Sequence, residues 1–382
     1  MNYAKSTQKP LVIVAMSGGV DSSVAAALFT RATTPHEFKA LTGRTAPKGF
    51  SGFQVVGVYM KCWSENNPCA LNDEADAHRV AAQLKIPFYT FDFEKEYAKN
   101  VVDYMVRGYS EGITPNPDVM CNKVIKFGIF LRTARAWRAD YIATGHYVRL
   151  REGKTQNAKI KSYELAIARD LNKDQSYFLW TLTQRQLQYC LFPLGNYTKP
   201  EVRALATQFG LSTADKKDSQ GICFLGDVRL DEFLEKRLLH TAKPGPTMSL
   251  DGAVLGTHKG AALYTIGQRH GLGLQGGDGI YCVVKKDVQK NIVYVARKDN
   301  RDQFGQELAA KHLQWIEGVV PMMPLRVTCR TRYRQALVRA TLTQQGVRTV
   351  RVIFDRPHRA ITPGQSIVFY KGNTMLGGGI IA

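Results

Sequence analysis

Residues 11–16 (LVIVAM) form a short continuous apolar run, closed by Ser17-Gly18-Gly19 and followed by a helical pattern from Ser22 to Phe29. A run of that length ending in a glycine turn predicts a buried strand, a tight turn and a helix. The unit then repeats. A strand over 54–60 (QVVGVYM) leads to a helix over 73–84, a strand over 87–91 to a helical pattern over 94–109, and a helix near 122–138 to the apolar 141–144. Strands alternating with helices predict an α/β fold with a doubly wound parallel sheet, covered on both faces.

Between Thr30 and Phe53 the pattern lapses into RATTPHEFKALTGRTAPKG, rich in Thr, Pro, Gly and basic residues, so 31–53 is expected to be a surface insertion. Thr198 and Glu201 have the spacing of a capping box before a helical 201–209, and KKDSQGICFLG (216–226) reads as a loop. From about residue 247 the texture changes to glycine-rich turns and short β-branched runs, among them 280–284, 292–296 and 366–370, which predict a β region. Within 325–334 (LRVTCRTRYR), Leu325, Val327, Cys329, Thr331 and Tyr333 alternate with Arg326, Arg330, Arg332 and Arg334. This alternation predicts one packed face and one cationic ribbon.

The 382 residues suffice for two or three domains, and a hydrophobic fraction of 44% with 22% charged residues excludes a disordered chain. No apolar run approaches the roughly 18 residues of a membrane helix. The net charge of +20 favours a polyanionic partner such as nucleic acid. The first ten residues are polar and end in Pro10, unlike a secretory signal, so a cytoplasmic location is expected. Seven scattered cysteines show no repeated CxxC pair; no metal site is expected, and the thiols are expected to be reduced.

The strongest local signal is Ser17-Gly18-Gly19-Val20-Asp21-Ser22-Ser23, placed where a strand ends and a helix begins. Glycines permit a close backbone approach, while helix N–H groups and Ser hydroxyls can bind phosphate oxygens. The GK[ST] ending of an ordinary P-loop is absent, so a pyrophosphate leaving group suits the loop better than a transferring terminal phosphate. The heptapeptide resembles the pyrophosphate (PP) loop of the N-type ATP pyrophosphatases, which adenylate an oxygen before a nucleophile displaces AMP.

A second signal is TPNPDVMCNK (114–123), followed by Ile125-Lys126-Phe127. Its two prolines predict a stiff, non-helical loop holding Asp118 and Cys121 near the start of the next helix, where the helix terminus and Lys123 would favour a thiolate. Another cysteine, Cys223, lies in the glycine-flanked GICFLG after Lys216 and Lys217. With ATGHY (143–147), NKDQSYFL (172–179), KKDSQGICF (216–224), TIGQRHGLG (265–273), TRYRQ (331–335), TPGQ (362–365) and the terminal LGGGII (376–381), the chain resembles the tRNA-specific 2-thiouridylases that modify the wobble uridine.

The resemblance implies a Rossmann-like PP-loop catalytic domain over 1–215, a small central domain over 216–300 and a tRNA-contacting C-terminal β-barrel over 301–382. It implies ATP, with Mg²⁺, bound by Ala15, Met16, Ser17, Gly18, Gly19, Val20, Asp21 and Ser22, with Met60 and Gly145 beside the adenine or ribose. It further implies that Asn116, Pro117 and Asp118 meet the flipped-out target base, and that His146, Lys173, Asp174, Gln175, Arg332, Tyr333 and Gln365 touch tRNA. Cys121 would be the nucleophile, Cys223 would carry a persulfide from a sulfur-relay protein or cysteine desulfurase, and Asp118 is the candidate general acid/base. The chain departs from the family in its 31–53 insertion and in Ile113, where many relatives carry arginine.

C2 oxygen is a poor leaving group, which adenylation converts into AMP before sulfur adds at C2. Either Cys121 releases sulfide from the Cys223 persulfide, or the persulfide attacks directly and Cys121 resolves it as a Cys121–Cys223 disulfide. A PP-loop synthetase using ammonia would need neither cysteine. A basic RNA-binding scaffold would account for the charge and leave both loops unexplained.

Overall fold

Strand β1 (Leu11–Ala15) lies at the centre of a five-stranded parallel sheet. The order is β3-β2-β1-β4-β7, with β2 at Gln54–Lys61, β3 at Phe88–Asp92, β4 at Tyr141–Ala143 and β7 at Cys190–Leu191. The computed structural model describes residues 9–63, 68–153, 161–218, 230–238, 242–274, 279–298, 300 and 303–382. Cys223 and the rest of 219–229 fall outside the described residues. Strands run outward from β1 in both directions, so the order reverses between β1 and β4. The crevice beyond the strand ends at that switch point is where such sheets hold ligands.

The runs predicted as β1 to β4 are these strands; β1, β2 and β4 are largely buried between helices, whereas β3, at the sheet edge, buries only Phe91. Helix α1 (Val20–Arg31) follows β1, and α2 is at Pro35–Thr42. Helical chain covers 94–110 and 117–136, each with a π-helical stretch, at Ala98–Val102 and Cys121–Phe130. The second of these begins earlier than its apolar pattern suggests. Asn116 caps it by accepting from the Val119 N–H at 3.1 Å, and Pro117 occupies the first helical position, where its missing N–H costs nothing. Asp118 and Cys121 therefore lie on a helix, not in a non-helical loop.

The 31–53 segment is not a surface excursion. Thr34 and Glu37 form a capping box that starts α2, and Phe38, Phe50 and Phe53 pack ring on ring, with Phe29 of α1 5.1 Å from Phe53. Arg44, only 4% exposed, donates to the carbonyls of Leu187, Gln188 and Cys190. The aromatic spacing is irregular because the segment wraps over the sheet edge, so periodicity could not reveal it.

A four-stranded sheet of order β10-β11-β8-β9 forms the middle of the chain (β8 Gly245–Met248, β9 Val254–His258, β10 Tyr281–Asp287, β11 Ile292–Arg297). Strands β12 (Phe304–Trp315), β13 (Leu325–Arg330), β14 (Val338–Gly346), β15 (Thr349–Arg359), β16 (Ser366–Lys371) and β17 (Thr374–Ile381) then close a barrel in the order β12-β15-β14-β13-β16-β17, with β17 pairing back to β12. The hairpin β5 (Arg149–Gly153) and β6 (Ser162–Ala166) extends this sheet through β17. Residues early in the chain thus belong spatially to the barrel.

Strand β13 ends at Arg330, and the arginines after Leu325 do not form an open ribbon. Arg326 makes a bidentate pair with Asp355, at 2.7 Å on both oxygens, and Arg330 is buried against Asp174 at 2.9 Å. Arg332 donates to the carbonyl of Ile266 and the hydroxyl of Thr362. Neighbouring chain covers Arg330 and part of Arg332, while Arg326 and Arg334 stay on the exposed face that alternation assigned to all four.

Candidate active site at the end of the parallel sheet

The loop Ser17 to Ser23 leaves β1 at the switch point and enters α1 with no side-chain cap. Gly18 takes φ +72°, and a Cβ there would stand 2.1 Å from the Asp73 carbonyl oxygen, so no other residue fits. Ser22 and Ser23 are buried and their hydroxyls hold the loop itself. Ser22 Oγ accepts from the Ser17 N–H at 3.0 Å and donates to the Gly19 carbonyl, which also accepts from Ser23 Oγ. Met16 and Val20 turn their side chains into the core, leaving Ser17, Gly19 and Asp21 as the more open positions. Gly145 follows β4 beside this loop, where a Cβ would come 2.9 Å from the Ser22 nitrogen. Met60 is half-buried near the end of β2.

Asp21 is held from two sides. Its Oδ1 accepts from Tyr147 Oη at 2.8 Å and from Lys199 Nζ at 2.7 Å. Lys199 also pairs with Asp218 at 2.8 Å, and Asp218 takes Lys173 at 2.6 Å and Arg203 at 2.8 Å. Burial raises the Asp218 carboxyl, but hydrogen bonds from Lys173 and Lys199 outweigh it and hold the group down at about 2. A dense lattice of alternating charge thus surrounds the loop.

The second region is the start of the helix 117–136. Asp118 is in its first turn, where the helix dipole favours negative charge. Cys121 lies one turn further in and is buried, so the helix terminus acts on it less than its sequence context suggests. The preceding loop is clamped by the barrel. Gln365 Nε2 donates to the carbonyls of Thr114 and Pro115, and the Thr114 N–H donates to the Pro363 carbonyl. A cavity of about 400 Å³ opens between this helix and the barrel, lined by Asn116, Met120, Lys123, His312 and Arg348 among others.

Several residues expected to touch RNA have partners inside the protein. Asp174 is 1% exposed and bound to Arg330, Ser176 and the Ala168 N–H, which removes it from any RNA surface. His146 is buried beside Phe127 and Phe192 with Nδ1 on the Thr144 hydroxyl; burial, then the charge of Lys126, pushes its pKa well down and leaves a neutral ring. Gln175 accepts from the Tyr147 N–H, Gln365 braces the 114–115 carbonyls, and the Asn116 side chain is spent on its cap and on Tyr177. Pro117 is buried. Tyr333 stays half-exposed, with its ring 4.5 Å from that of Phe178.

Three family models cover nearly the whole chain: a tRNA methyl transferase HUP domain at 10–227, a tRNA methyl transferase PRC-barrel domain at 231–297 and an aminomethyltransferase beta-barrel domain at 305–381. The chain is 44% identical to the tRNA-specific 2-thiouridylase MnmA 2 of Geobacillus kaustophilus, over 99% of this chain and 96% of that protein. It is 45% identical to the tRNA-specific 2-thiouridylase MnmA of Lacticaseibacillus paracasei, over 97% and 93%. The chain belongs to the tRNA-specific 2-thiouridylase family.

In this 2-thiouridylase family member, Lys199, Arg203, Asp218 and Tyr147 gather around Asp21 of the loop, and sequence reasoning missed all four. One signal was present. Lys199 opens the helix Lys199–Gln208, where a cation opposes the helix dipole and needs a nearby anion. Asn122, buried beside Cys121, also went unnoticed, and its Oδ1 has no hydrogen-bond partner among the described residues. A magnesium ion carried by a triphosphate asks the protein for one or two carboxylates, and Asp21 at the loop meets that demand. No cluster of three or more metal-ligating side chains occurs among the described residues. No helix there is long and apolar enough to cross a membrane.

Proposed function

We propose that this protein thiolates C2 of the wobble uridine, position 34, of tRNA, consuming ATP and releasing AMP and pyrophosphate. The observation that carries this reading is the loop at the switch point, with Asp21 set between Lys199 and Tyr147, in a chain that aligns end to end with 2-thiouridylases. The loop's backbone N–H groups would receive the ATP phosphates. Lys199 and Asp21 would orient them, and Asp21 would hold Mg²⁺, which neutralises phosphate charge when bound.

In the reaction, the C2 oxygen of uridine attacks the α-phosphorus of ATP and pyrophosphate leaves. Sulfur from a Cys223 persulfide then adds at C2 and AMP departs with the original oxygen. Two routes complete the transfer. Cys121 thiolate attacks Cys223 Sγ either before the addition, freeing hydrosulfide, or after it, freeing thiouridine. Both routes end in a Cys121–Cys223 disulfide, which an external thiol reductant must reopen. Asp118, four residues from the turn that carries Thr114, is the group placed to accept or return the base's proton. A uridine must leave its stack to reach the site, as an unpaired anticodon base does at least cost. The RNA would lie over exposed Lys123 and half-exposed Tyr333.

The test is mass spectrometry of nucleosides from tRNA incubated with the protein, ATP, Mg²⁺ and a sulfide source. The expected product is 2-thiouridine at position 34, with AMP and pyrophosphate in equal amounts. ADP in place of AMP, or amination in place of thiolation, would overturn the reading.

A further inference from the structure

Three consecutive residues, Lys173, Asp174 and Gln175, reach two separate parts of the molecule. Asp174 faces the barrel, where Arg330 of β13 pairs with it at 2.9 Å; both side chains are at least nine-tenths buried. The residues just after it continue that attachment. Ser176 Oγ meets Tyr370 Oη at 3.0 Å, Tyr177 Oη donates to the Ser366 carbonyl at 2.9 Å, and Trp180 Nε1 donates to Ser366 Oγ at 3.0 Å. Lys173 and Gln175 point the other way, to the nucleotide loop. Lys173 reaches Asp21 through Asp218 and Lys199, at 2.6, 2.8 and 2.7 Å in turn. Gln175 reaches the same Asp21 through Tyr147, whose N–H it accepts at 3.0 Å and whose hydroxyl donates to Asp21 at 2.8 Å.

We propose that Lys173, Asp174 and Gln175 are positioning residues that couple the barrel to the nucleotide loop, so that bound tRNA tightens ATP binding and bound ATP tightens tRNA binding. The proposal rests on the reading of this chain as an enzyme whose barrel meets tRNA. Its physical content is that a displacement of β13 or β16 (Ser366–Lys371) is carried through buried Asp174 and the hydrogen bonds of half-buried Lys173 and Gln175 to the one carboxylate that sits in the PP loop. Two routes converge on Asp21, so the segment constrains both the position and the direction of that carboxylate. A surface that merely touched RNA phosphates would not place an aspartate in its middle, nor bury it at 1% exposure.

Linkage makes the coupling measurable, because each ligand must change the affinity of the other by the same factor. Affinity for an unmodified tRNA transcript is measured with and without α,β-methylene ATP and Mg²⁺, in the full-length protein and in Lys173→Met and Gln175→Ala variants. The unaltered protein is expected to bind tRNA about tenfold tighter with the nucleotide analogue, and each variant less than about threefold tighter. Equal loss of tRNA affinity with and without the analogue, the ratio being kept, would overturn the proposal and make these residues RNA contacts. A ratio of one in the unaltered protein would overturn it as well. Asp174→Asn is expected to behave like the other two if its thermal transition shows that it folds; if it does not fold, Lys173→Met and Gln175→Ala decide. The same preparations are assayed for 2-thiouridine with ATP and sulfide. Product from the unaltered protein with no coupling removes this inference alone, whereas absence of product removes the functional reading beneath it.

Discussion

Lys199 and Asp21 lie 178 positions apart in sequence and meet at 2.7 Å, the lysine at the first turn of one helix and the aspartate at the first turn of another. Two helix N-termini therefore converge beside the PP loop, both favourable to phosphate, with a lysine between them that the loop's own sequence lacks. Lys199→Met is expected to lower AMP formation about a hundredfold or more, because the positive charge that the proposed function gives to orienting the phosphates is lost from a largely buried position. Stability should fall by only about 1–3 kcal/mol, since Asp21 keeps Tyr147 and Asp218 keeps Lys173 and Arg203. Quantifying AMP by chromatography alongside a thermal melt checks both halves; an AMP yield near that of the parent protein removes Lys199 from the site.

Gly18→Ala tests the loop's backbone. The added methyl would meet the Asp73 carbonyl oxygen at 2.1 Å from a left-handed conformation, so the turn must open or Asp73 must move. Loss of ATP binding by at least tenfold is expected in isothermal titration, while tRNA binding without nucleotide changes little. Asp21→Ala should abolish AMP formation with the backbone intact. Together the two variants separate the loop's shape from its charge.

The centre of the parallel sheet was legible because β1 is a continuous apolar run closed by a glycine turn, at 11–19, whereas the two-residue edge strand β7 is too short to leave a pattern. The candidate cysteine and aspartate of 114–123 were singled out for a different reason, the order of motifs along the chain. Local pattern hid what depends on distant partners. Arg330 looks solvent-facing by alternation, and only the approach of Asp174 from another domain shows why it can be buried. The Phe29, Phe38, Phe50 and Phe53 cluster has no period because it forms across a turn. Lys199 and Asp218 acquire meaning from one another, and neither carries a local signature of that role.

The charge lattice also has a pH signature. Asp218 is held at about 2 in the folded protein against 3.8 for the ordinary group, so its stabilising contribution is complete above the unfolded value and is lost as pH falls from about 4 towards 2. Urea unfolding of Asp218→Asn should therefore show a clear deficit against the parent at pH 6. That deficit should narrow below pH 4, while a deficit independent of pH would mean that packing, not charge, accounts for it.

Arg332 now has an expected outcome opposite to that of an RNA-phosphate contact. Its guanidinium donates to the Ile266 carbonyl and the Thr362 hydroxyl, tying the barrel to the chain between β9 and β10. Arg332→Ala should leave the slope of log tRNA affinity against log salt unchanged, where loss of a phosphate contact would flatten it by about one. Thermal stability should drop instead, because buried acceptors lose their donor. A flattened slope with an unchanged melt would return Arg332 to the RNA surface.

The proposed function gives the two cysteines different tasks. Cys121 is buried in the helix 117–136, one turn after Asp118, where a sulfur-donor protein cannot reach it directly. Under the proposed function Cys223, in the GICFLG segment, is the residue that would receive sulfur from the donor. After loading by a cysteine desulfurase system, Cys121→Ser should still show the mass of one added sulfur on the peptide containing Cys223, yet make no multiple-turnover thiolated product. Cys223→Ser should lose activity that depends on the protein donor, with weak rescue by free sulfide, since sulfide can reach the adenylated base without a carrier. Peptide mass spectrometry decides the assignment: sulfur found on Cys121, or full donor-dependent activity in Cys223→Ser, reverses the two roles while leaving the adenylation chemistry at the PP loop untouched.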